Sequence, residues 1–161
     1  MSTKDKNLSH FDKHNLPDAG TFRFGIVVSQ WNSHITHNLL KGAVDTLLEL
    51  GARPDRINCF DVPGSFELIH GANQLCKGEI FNAVIVIGSV IRGETAHFDY
   101  ICQGVTEGIK DLNIKYNTPV IFCVLTDDNE QQALDRSGGK YGNKGVEAAV
   151  AAVQMANFGN H

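Results

Sequence analysis

Four side chains able to take part in chemistry follow an apolar run in the middle of the chain. The run at 83–91 is rich in Val and Ile, and directly after it come Arg92, Glu94, Thr95 and His97. A histidine side chain transfers protons near neutral pH, and backbone N–H groups at a helix start attract anions such as phosphate. The spacing therefore predicts a proton-transferring histidine beside an anion site. The alternative is a solvated turn with no role in chemistry.

Two other stretches contain side chains suited to a planar or polar ligand. Trp31 is the only tryptophan and follows the first apolar strand. Its ring would either stack on a flat heterocycle or cover the core or an interface. The stretch VPGSFE (62–67) places Ser65 and Glu67 at a predicted helix start. Backbone N–H groups there would suit a polyol or a carbonyl, whereas Glu67 alone is also explained by the helix dipole.

The Gly-rich segment 135–145 carries Arg136, Lys140 and Lys144. Arginine binds phosphate through a two-pronged hydrogen bond, although basic residues at such a place also serve as plain helix caps. The sequence contains neither G-x-G-x-x-G nor G-x-x-x-x-G-K-[ST], and it has no H-E-x-x-H spacing. We therefore expect no dinucleotide or nucleoside triphosphate site, no metal centre and no cofactor.

Strand-like and helix-like segments alternate along the chain. Apolar runs predict strands at 22–29, 56–62, 82–88 and 119–126. Apolar stripes predict helices at 35–50, 68–76, 98–112, 129–136 and 146–158, with Asn32 or Ser33 capping the first and Gly51 ending it. The alternation predicts an α/β fold with a parallel sheet covered on both faces. Right-handed crossovers bring the strand-to-helix loops to one edge, where such sheets bind ligands.

Length and composition favour one domain. The chain has 161 residues, of which 42% are hydrophobic, and we expect a flexible arm at 1–20 and a single domain at 21–161. The net charge of -4 argues against a nucleic-acid surface. No apolar run reaches the roughly 20 residues that span a bilayer, and the N-terminus has no signal-type segment, so we expect a cytoplasmic protein. The four cysteines form no C-x-x-C pair and are expected to be buried free thiols.

Four motifs, found in order, resemble those of the lumazine synthase family. They are the aromatic-Asn pair at 31–32, VPGSFE at 62–67, GSVIRGETAHFDY at 88–100 and RSGGKYGNKG at 136–145. The similarity runs over about residues 22 to 158. It implies a flavodoxin-like three-layer sandwich with a four-stranded parallel sheet. It also implies a transferase of riboflavin biosynthesis, which joins 5-amino-6-(D-ribitylamino)uracil to 3,4-dihydroxy-2-butanone 4-phosphate and releases 6,7-dimethyl-8-ribityllumazine, phosphate and water.

The same resemblance implies roles for individual positions. His97 would be the general acid and base, and Trp31 would stack on the pyrimidine ring. Residues 65–67 and 89–91 would hold the ribityl chain and ring edge, while Thr95 and Arg136 would bind the phosphate. The substrate-binding residues implied are Trp31, Asn32, Ser65, Phe66, Glu67, Ser89, Val90, Ile91, Glu94, Thr95, Phe122, Arg136 and Lys144.

Three departures from the family pattern leave the catalytic groups in place. Trp31 stands where many members carry Phe and keeps the stacking role. Glu94 takes a small-residue position, so only its backbone N–H is expected to meet the phosphate. Asp127 and Asp128 replace a more usual Thr-Glu-like pair and add negative charge at the end of the fourth strand.

The resemblance also implies an assembly. Family members form pentamers in which each site lies between two subunits, with the region of Phe122 and Arg136 supplied by the neighbour. Some pentamers form sixty-subunit shells, and the lack of an insertion after SGGK favours such a shell here. Riboflavin synthase is an implied partner. Arg92 has no implied role in the chemistry and is expected to form an ion pair across a subunit contact.

Two other functions compete with this enzyme. A relative that binds flavin or only forms shells would have no turnover, and the presence of His97, Arg136 and Lys144 favours the enzyme over it. A flavodoxin-like electron carrier would use Ser29, Ser33 and Thr36 as a phosphate loop. Such a carrier would purify with a yellow cofactor that bleaches reversibly on reduction.

Overall fold

A computed structural model describes residues 7–158 of the chain. Its main strands are β1 (Phe24–Ser29), β2 (Ile57–Val62), β3 (Ala83–Ile91) and β4 (Val120–Asp127). Its helices are α1 (Ser33–Glu49), α2 (Leu68–Lys77), α3 (His97–Lys115), α4 (Glu130–Arg136) and α5 (Lys144–Asn157). The predicted alternation of strands and helices is confirmed. None of the helices within 7–158 has the length and apolar content to cross a membrane.

The four main strands form one sheet in the order β2-β1-β3-β4. All three strand pairs are parallel. Parallel neighbours require a crossover helix between them, and α1, α2 and α3 supply these crossovers. The predicted α/β fold and the four-stranded parallel sheet of a flavodoxin-like sandwich are therefore confirmed, and the carboxyl ends of the strands share one edge.

Helices cover both faces of the sheet. One face packs side chains such as Ile26 and Ile85 against α1 and α5. The other packs Val27, Val84 and Val86 against α2 and α3. Neighbouring strand residues point to opposite faces, so the unbroken Val and Ile runs of β1 and β3 are buried on both sides. The sheet edge that carries the loops is thereby held between two apolar layers.

Helices α1 and α5 approach each other at a glycine. A Cβ added to Gly145 would lie 2.0 Å from the carbonyl oxygen of Leu39, closer than any real contact. A Cβ on Gly42 would lie 2.6 Å from the Asn143 side chain. The same Asn143 side chain accepts a hydrogen bond from the Gly145 N–H at 2.8 Å and so caps α5. Gly145 therefore has a packing role that no larger residue could take without moving a helix.

Among the differences from the predicted elements, two are boundaries and one is an additional strand pair. Strand β3 continues past Gly88 to Ile91, because its last residues pair with the end of β4. Helix α5 begins at Lys144 rather than 146, because Asn143 caps it. The predicted Gly-rich turn contains an antiparallel pair, β5 (Ser137–Gly139) and β6 (Gly142–Asn143). The positive φ of 100° at Gly51 confirms its place just after the end of α1.

The cysteines are free thiols, as predicted, but they are not all buried. Cys76 and Cys123 are buried, and burial raises their pKa to about 11 and about 12, so both stay protonated. Cys102 is only partly buried, and Cys59 is exposed. The prediction is wrong for Cys59 because β2 is the edge strand of the sheet and none of its residues is fully buried.

The predicted N-terminal arm is described in part. Residues 1–6 lie outside the described residues. The N–H of Leu8 donates to the carbonyl of Tyr141 at 2.8 Å, and the N–H of Asn143 donates to the hydroxyl of Ser9 at 2.9 Å. These contacts place residues 8 and 9 against the β5-β6 hairpin. The division into an arm and a domain at residue 20 stays a prediction.

Candidate active site

A cavity of about 480 Å³ opens at the carboxyl ends of β1, β2 and β3. This is the edge at which the sequence predicted a site, and the volume suits a small organic ligand. The loop after β4 does not contribute to it. The cavity is lined by Trp31, Asn32, Gly64, Ser65, Phe66, Glu67, Ser89, Val90, Ile91, His97 and Ile101.

Two aromatic side chains that line this cavity are exposed to solvent. Trp31 is 71% exposed and Phe66 is 51% exposed. The backbone of Trp31 is fixed, because its N–H donates to the carbonyl of Pro63 at 3.1 Å. A ring this exposed does not cover the core of its own chain. A planar ligand can reach these rings without any rearrangement of the backbone.

Asn32 adopts a different role from the predicted helix cap. It occupies the N-cap position of α1 but has left-handed backbone angles and makes no side-chain cap bond. Its amide Nδ2 instead donates to the carbonyl oxygen of Ser89 at 3.0 Å. This contact joins the loop after β1 to the end of β3. The side chain therefore fixes one wall of the cavity rather than the start of the helix.

The phosphate loop of the alternative electron carrier is not supported. Thr36 and Ser29 are fully buried, and the Thr36 hydroxyl donates to the Ser29 carbonyl at 2.8 Å. Ser33 begins α1 and is the only member of the three that is not buried. A phosphate would need open hydroxyl and N–H donors at one point. These side chains do not offer them.

Two serines lie at the buried end of the cavity. Ser65 is 7% exposed and Ser89 is 1% exposed. Within residues 7–158, the Ser89 hydroxyl is buried without a hydrogen-bond partner, which costs free energy unless a ligand or water satisfies it. A Cβ on Gly88 would lie 2.7 Å from the Ser65 hydroxyl oxygen, so Gly88 lets these two segments approach. The end of β3 therefore places a buried, unsatisfied hydroxyl beside the cavity.

His97 lies at the cavity wall as the first residue of α3. This confirms its predicted place at the start of the third helix. Its backbone N–H is 3.4 Å from the Thr95 hydroxyl oxygen. The side chains of Glu94, Thr95 and His97 are exposed. Thr95 and Glu94 lie in the loop beside the cavity but do not line it.

Arg92 holds the loop that leads to His97. Its guanidinium pairs with Asp99 at 3.1 Å and with Asp128 at 3.0 Å, and it lies 4.1 Å from the centre of the Phe98 ring. All three partners belong to the same chain, whereas an ion pair across a subunit contact was predicted from the sequence. Asp99 lies in the first turn of α3. The contacts of Arg92 therefore restrain both ends of the 93–97 segment.

Removing this side chain should loosen the start of α3. In Arg92→Ala we expect amide hydrogens of the first turn of α3 to exchange faster, by about threefold, because exposed ion pairs contribute little individually. Hydrogen exchange followed by mass spectrometry measures this, with α5 as the internal control. Arg92→Lys keeps the charge but loses the planar fork, so we expect an intermediate rate. Equal rates in all three proteins would contradict the role.

Three residues predicted for the site lie away from this cavity. Phe122 pairs with Val86 in the middle of the sheet and packs against the α2-α3 layer. Arg136 ends α4, and Lys144 begins α5, where it pairs with Glu147 at 2.7 Å. One chain therefore brings together the residues around Trp31, Glu67, Ser89 and His97, but not these three.

Two residues that line the cavity were not predicted as site residues from the sequence. Gly64 lies within the VPGSFE stretch, and Ile101 lies within the helix predicted at 98–112. Ile101 lies four residues after His97, which is one helical turn. A residue at that spacing shares the face of its neighbour, and this signal could have placed it at the cavity.

Comparison with known proteins identifies the family. A family model described as 6,7-dimethyl-8-ribityllumazine synthase matches residues 21–160. A relative of that name from Flavobacterium johnsoniae is 57% identical over 156 residues, covering 97% of this chain and 82% of the relative. Those from Christiangramia forsetii and Parabacteroides distasonis are 54% and 52% identical, over 98% of this chain and 95% and 99% of theirs. The chain belongs to the 6,7-dimethyl-8-ribityllumazine synthase family.

Proposed function

We propose that the protein makes 6,7-dimethyl-8-ribityllumazine in riboflavin biosynthesis. The substrates are 5-amino-6-(D-ribitylamino)uracil and 3,4-dihydroxy-2-butanone 4-phosphate, and phosphate and water are released. The observation that carries the proposal is one cavity lined by the exposed Trp31, by His97 and by Ser89, whose hydroxyl has no hydrogen-bond partner within residues 7–158. The family to which the chain belongs gives the reaction.

The chemistry asks the protein to orient two substrates and to move protons. The amine of the pyrimidine substrate attacks the ketone of the four-carbon substrate, so the attacking atom belongs to a substrate. A Schiff base forms with loss of one water, phosphate leaves, and the ring closes with loss of a second water. Orientation in a cavity contributes a large share of such a rate. His97, exposed at the cavity wall, is the group placed to take and return protons.

The pyrimidine substrate fits the aromatic side of the cavity. Its flat ring would stack on Trp31, whose exposed face needs no rearrangement. Its ribityl hydroxyls would meet the serine end, where the Ser89 hydroxyl is buried without a partner among the described residues. Glu67 at the N-cap position of α2 is a further acceptor at the same wall. Each end of this substrate therefore has a matching surface.

The phosphate of the second substrate would bind at the start of α3. Backbone N–H groups of the first turn attract an anion, and the Thr95 hydroxyl lies beside them. Glu94 would contribute only its N–H, because its carboxylate would repel phosphate. Arg136 and Lys144 lie away from the cavity of their own chain, so they would reach the phosphate of a neighbouring copy.

We propose a homo-pentamer in the cytoplasm, assembled further as a sixty-subunit shell and able to associate with riboflavin synthase. The placement of Phe122, Arg136 and Lys144 outside the cavity supports a site shared by two copies. Large apolar side chains that are open to solvent support extensive contacts between copies, among them Tyr100 at 73% and Ile114 at 76%. Sedimentation velocity tests this, because monomer, pentamer and shell differ widely in mass; a monomer would contradict the assembly.

The reaction itself can be tested directly. The two substrates are mixed with purified protein, and the green fluorescence of the lumazine product is followed over time. The substrates also react slowly without protein, so each rate is compared with a protein-free control. A rate above this background is expected. A rate equal to the background would overturn the proposed function.

Trp31 offers a test of the stacking contact. In Trp31→Ala we expect the KM of the pyrimidine substrate to rise about fivefold, the value of one aromatic contact. The KM of the butanone phosphate should stay near its original value, because that substrate has no ring. Trp31→Phe is the matched control and should retain most of the affinity. An equal rise for both substrates would point to a general disturbance instead of stacking.

A further inference from the structure

We propose that Asp127 is a specificity-determining residue whose carboxylate competes with the substrate phosphate for Arg136 and so sets how tightly phosphate is held. This inference rests on the proposed function, since it takes Arg136 as a phosphate contact. Asp127 does not line the cavity and is not among the site residues that the sequence predicted.

Asp127 is a buried acid, and one of its two carboxylate oxygens makes no hydrogen bond among the described residues. It is the last residue of β4 and is 6% exposed. Within residues 7–158, its Oδ2 has no hydrogen-bond partner, while its Oδ1 lies 3.9 Å from a terminal nitrogen of Arg136. Its backbone pairs in register with Ile91, a cavity residue, and its carbonyl accepts from the Arg92 N–H at 2.9 Å. The carboxylate is therefore fixed at the ligand edge of the sheet.

Arg136 is held by contacts other than Asp127. The same terminal nitrogen donates to the carbonyl of Gln132 at 2.9 Å, and the guanidinium lies 5.1 Å from the centre of the Tyr141 ring. A separation of 3.9 Å from Asp127 is too long for a hydrogen bond. Asp127 therefore acts on Arg136 through its charge, and loss of that charge leaves the arginine in place.

The charge of Asp127 depends on its surroundings. Burial raises the pKa of Asp127, the nearby Arg136 lowers it, and Asp128 raises it, with burial the largest of the three. Among the described residues, Arg136 and Asp128 are the charged side chains that shift this pKa, and Asp128 is itself paired with Arg92. Below its pKa the acid is neutral and leaves the whole charge of Arg136 to a phosphate. Above its pKa the carboxylate both neutralises Arg136 and repels phosphate, so phosphate affinity falls as pH rises through that value.

Inorganic phosphate is the probe for the test. Its dissociation constant is measured by calorimetry on the full assembled protein at several pH values, for the original protein and for Asp127→Asn. At neutral to alkaline pH we expect the variant to bind phosphate about fivefold more tightly, as expected for one repulsive charge in a partly solvated site. The ratio of the two constants cancels the titration of phosphate itself. It should shrink toward one at acid pH, where Asp127 is neutral.

Further variants keep the outcome decisive. Asp127→Thr removes the charge with a different side chain and should also tighten binding. Asp128→Asn removes the same charge from a side chain that is 68% exposed and screened, so it should change the affinity less. Equal or weaker phosphate binding in both Asp127 variants would overturn the inference. The turnover assay is read separately: turnover with no effect of Asp127 leaves the function standing, and no turnover overturns the function whatever Asp127 does.

Discussion

Replacing His97 with alanine is expected to lower kcat by about 10²-fold, the low end for loss of a general acid and base. The fall should not be complete, because the cavity still orients both substrates and orientation alone accelerates the reaction. His97 is exposed at the first position of α3, so the fold has little reason to change. Initial rates at saturating substrate measure the effect.

The control for His97 separates proton transfer from packing. His97→Asn keeps a polar side chain but cannot transfer protons, so it should be as slow as His97→Ala. The KM of each substrate should change little in either variant, because Trp31 and the serine end of the cavity remain. An unchanged kcat in His97→Ala would remove this residue from its role.

Replacing Arg136 with alanine is expected to raise the KM of the butanone phosphate by about 10- to 100-fold, the range for a charge-assisted hydrogen bond. The KM of the pyrimidine substrate should stay constant, because it carries no phosphate. Arg136→Lys keeps the charge but loses the two-pronged geometry. Its KM for the butanone phosphate should therefore lie between those of the original protein and Arg136→Ala. Steady-state kinetics with one substrate varied at a time measures this, and an unchanged KM in Arg136→Ala would count against the contact.

The same variant tests whether the site is shared. Arg136 lies outside the cavity of its own chain, so in a shared site it acts on the cavity of a neighbour. The His97→Ala and Arg136→Ala proteins are unfolded together and refolded as a mixture. Some sites then combine an intact histidine with an intact arginine. At butanone phosphate concentrations well below the KM of the Arg136→Ala protein, activity above that of either variant alone is expected. Activity no higher than the mean of the two would contradict a shared site.

The helices and strands of the fold could be predicted from the sequence because their apolar residues recur in regular patterns. The Val and Ile runs of β1 and β3 and the helical stripe of α1 each predict one element, and their alternation leaves a parallel sheet as the natural arrangement. Boundaries were less accurate where a long-range contact decides them. Strand β3 continues beyond Gly88 because its last residues pair with β4. A local sequence pattern does not reveal such a pairing.

The sequence predicted which loops form the site, but it did not predict the contacts between their residues. The position of His97 follows from the strand end and the helix that comes after it. The bond from Asn32 to the Ser89 carbonyl joins residues 57 positions apart, so local reasoning assigned Asn32 to a helix cap instead. Arg92 was expected to pair outside the chain, because the sequence does not show that Asp99 and Asp128 converge on it.

The outer edge of β2 is exposed, and an exposed strand edge lowers solubility when it promotes association between chains. β2 ends the sheet, and within residues 7–158 no strand pairs with its outer side. It also carries Phe60, which is 43% exposed, and the exposed Cys59. An open row of backbone N–H and C=O groups beside apolar side chains recruits foreign strands. If the proposed assembly forms, variants made to dissociate it should therefore precipitate before they unfold, and their low yield would reflect this edge rather than a weak core.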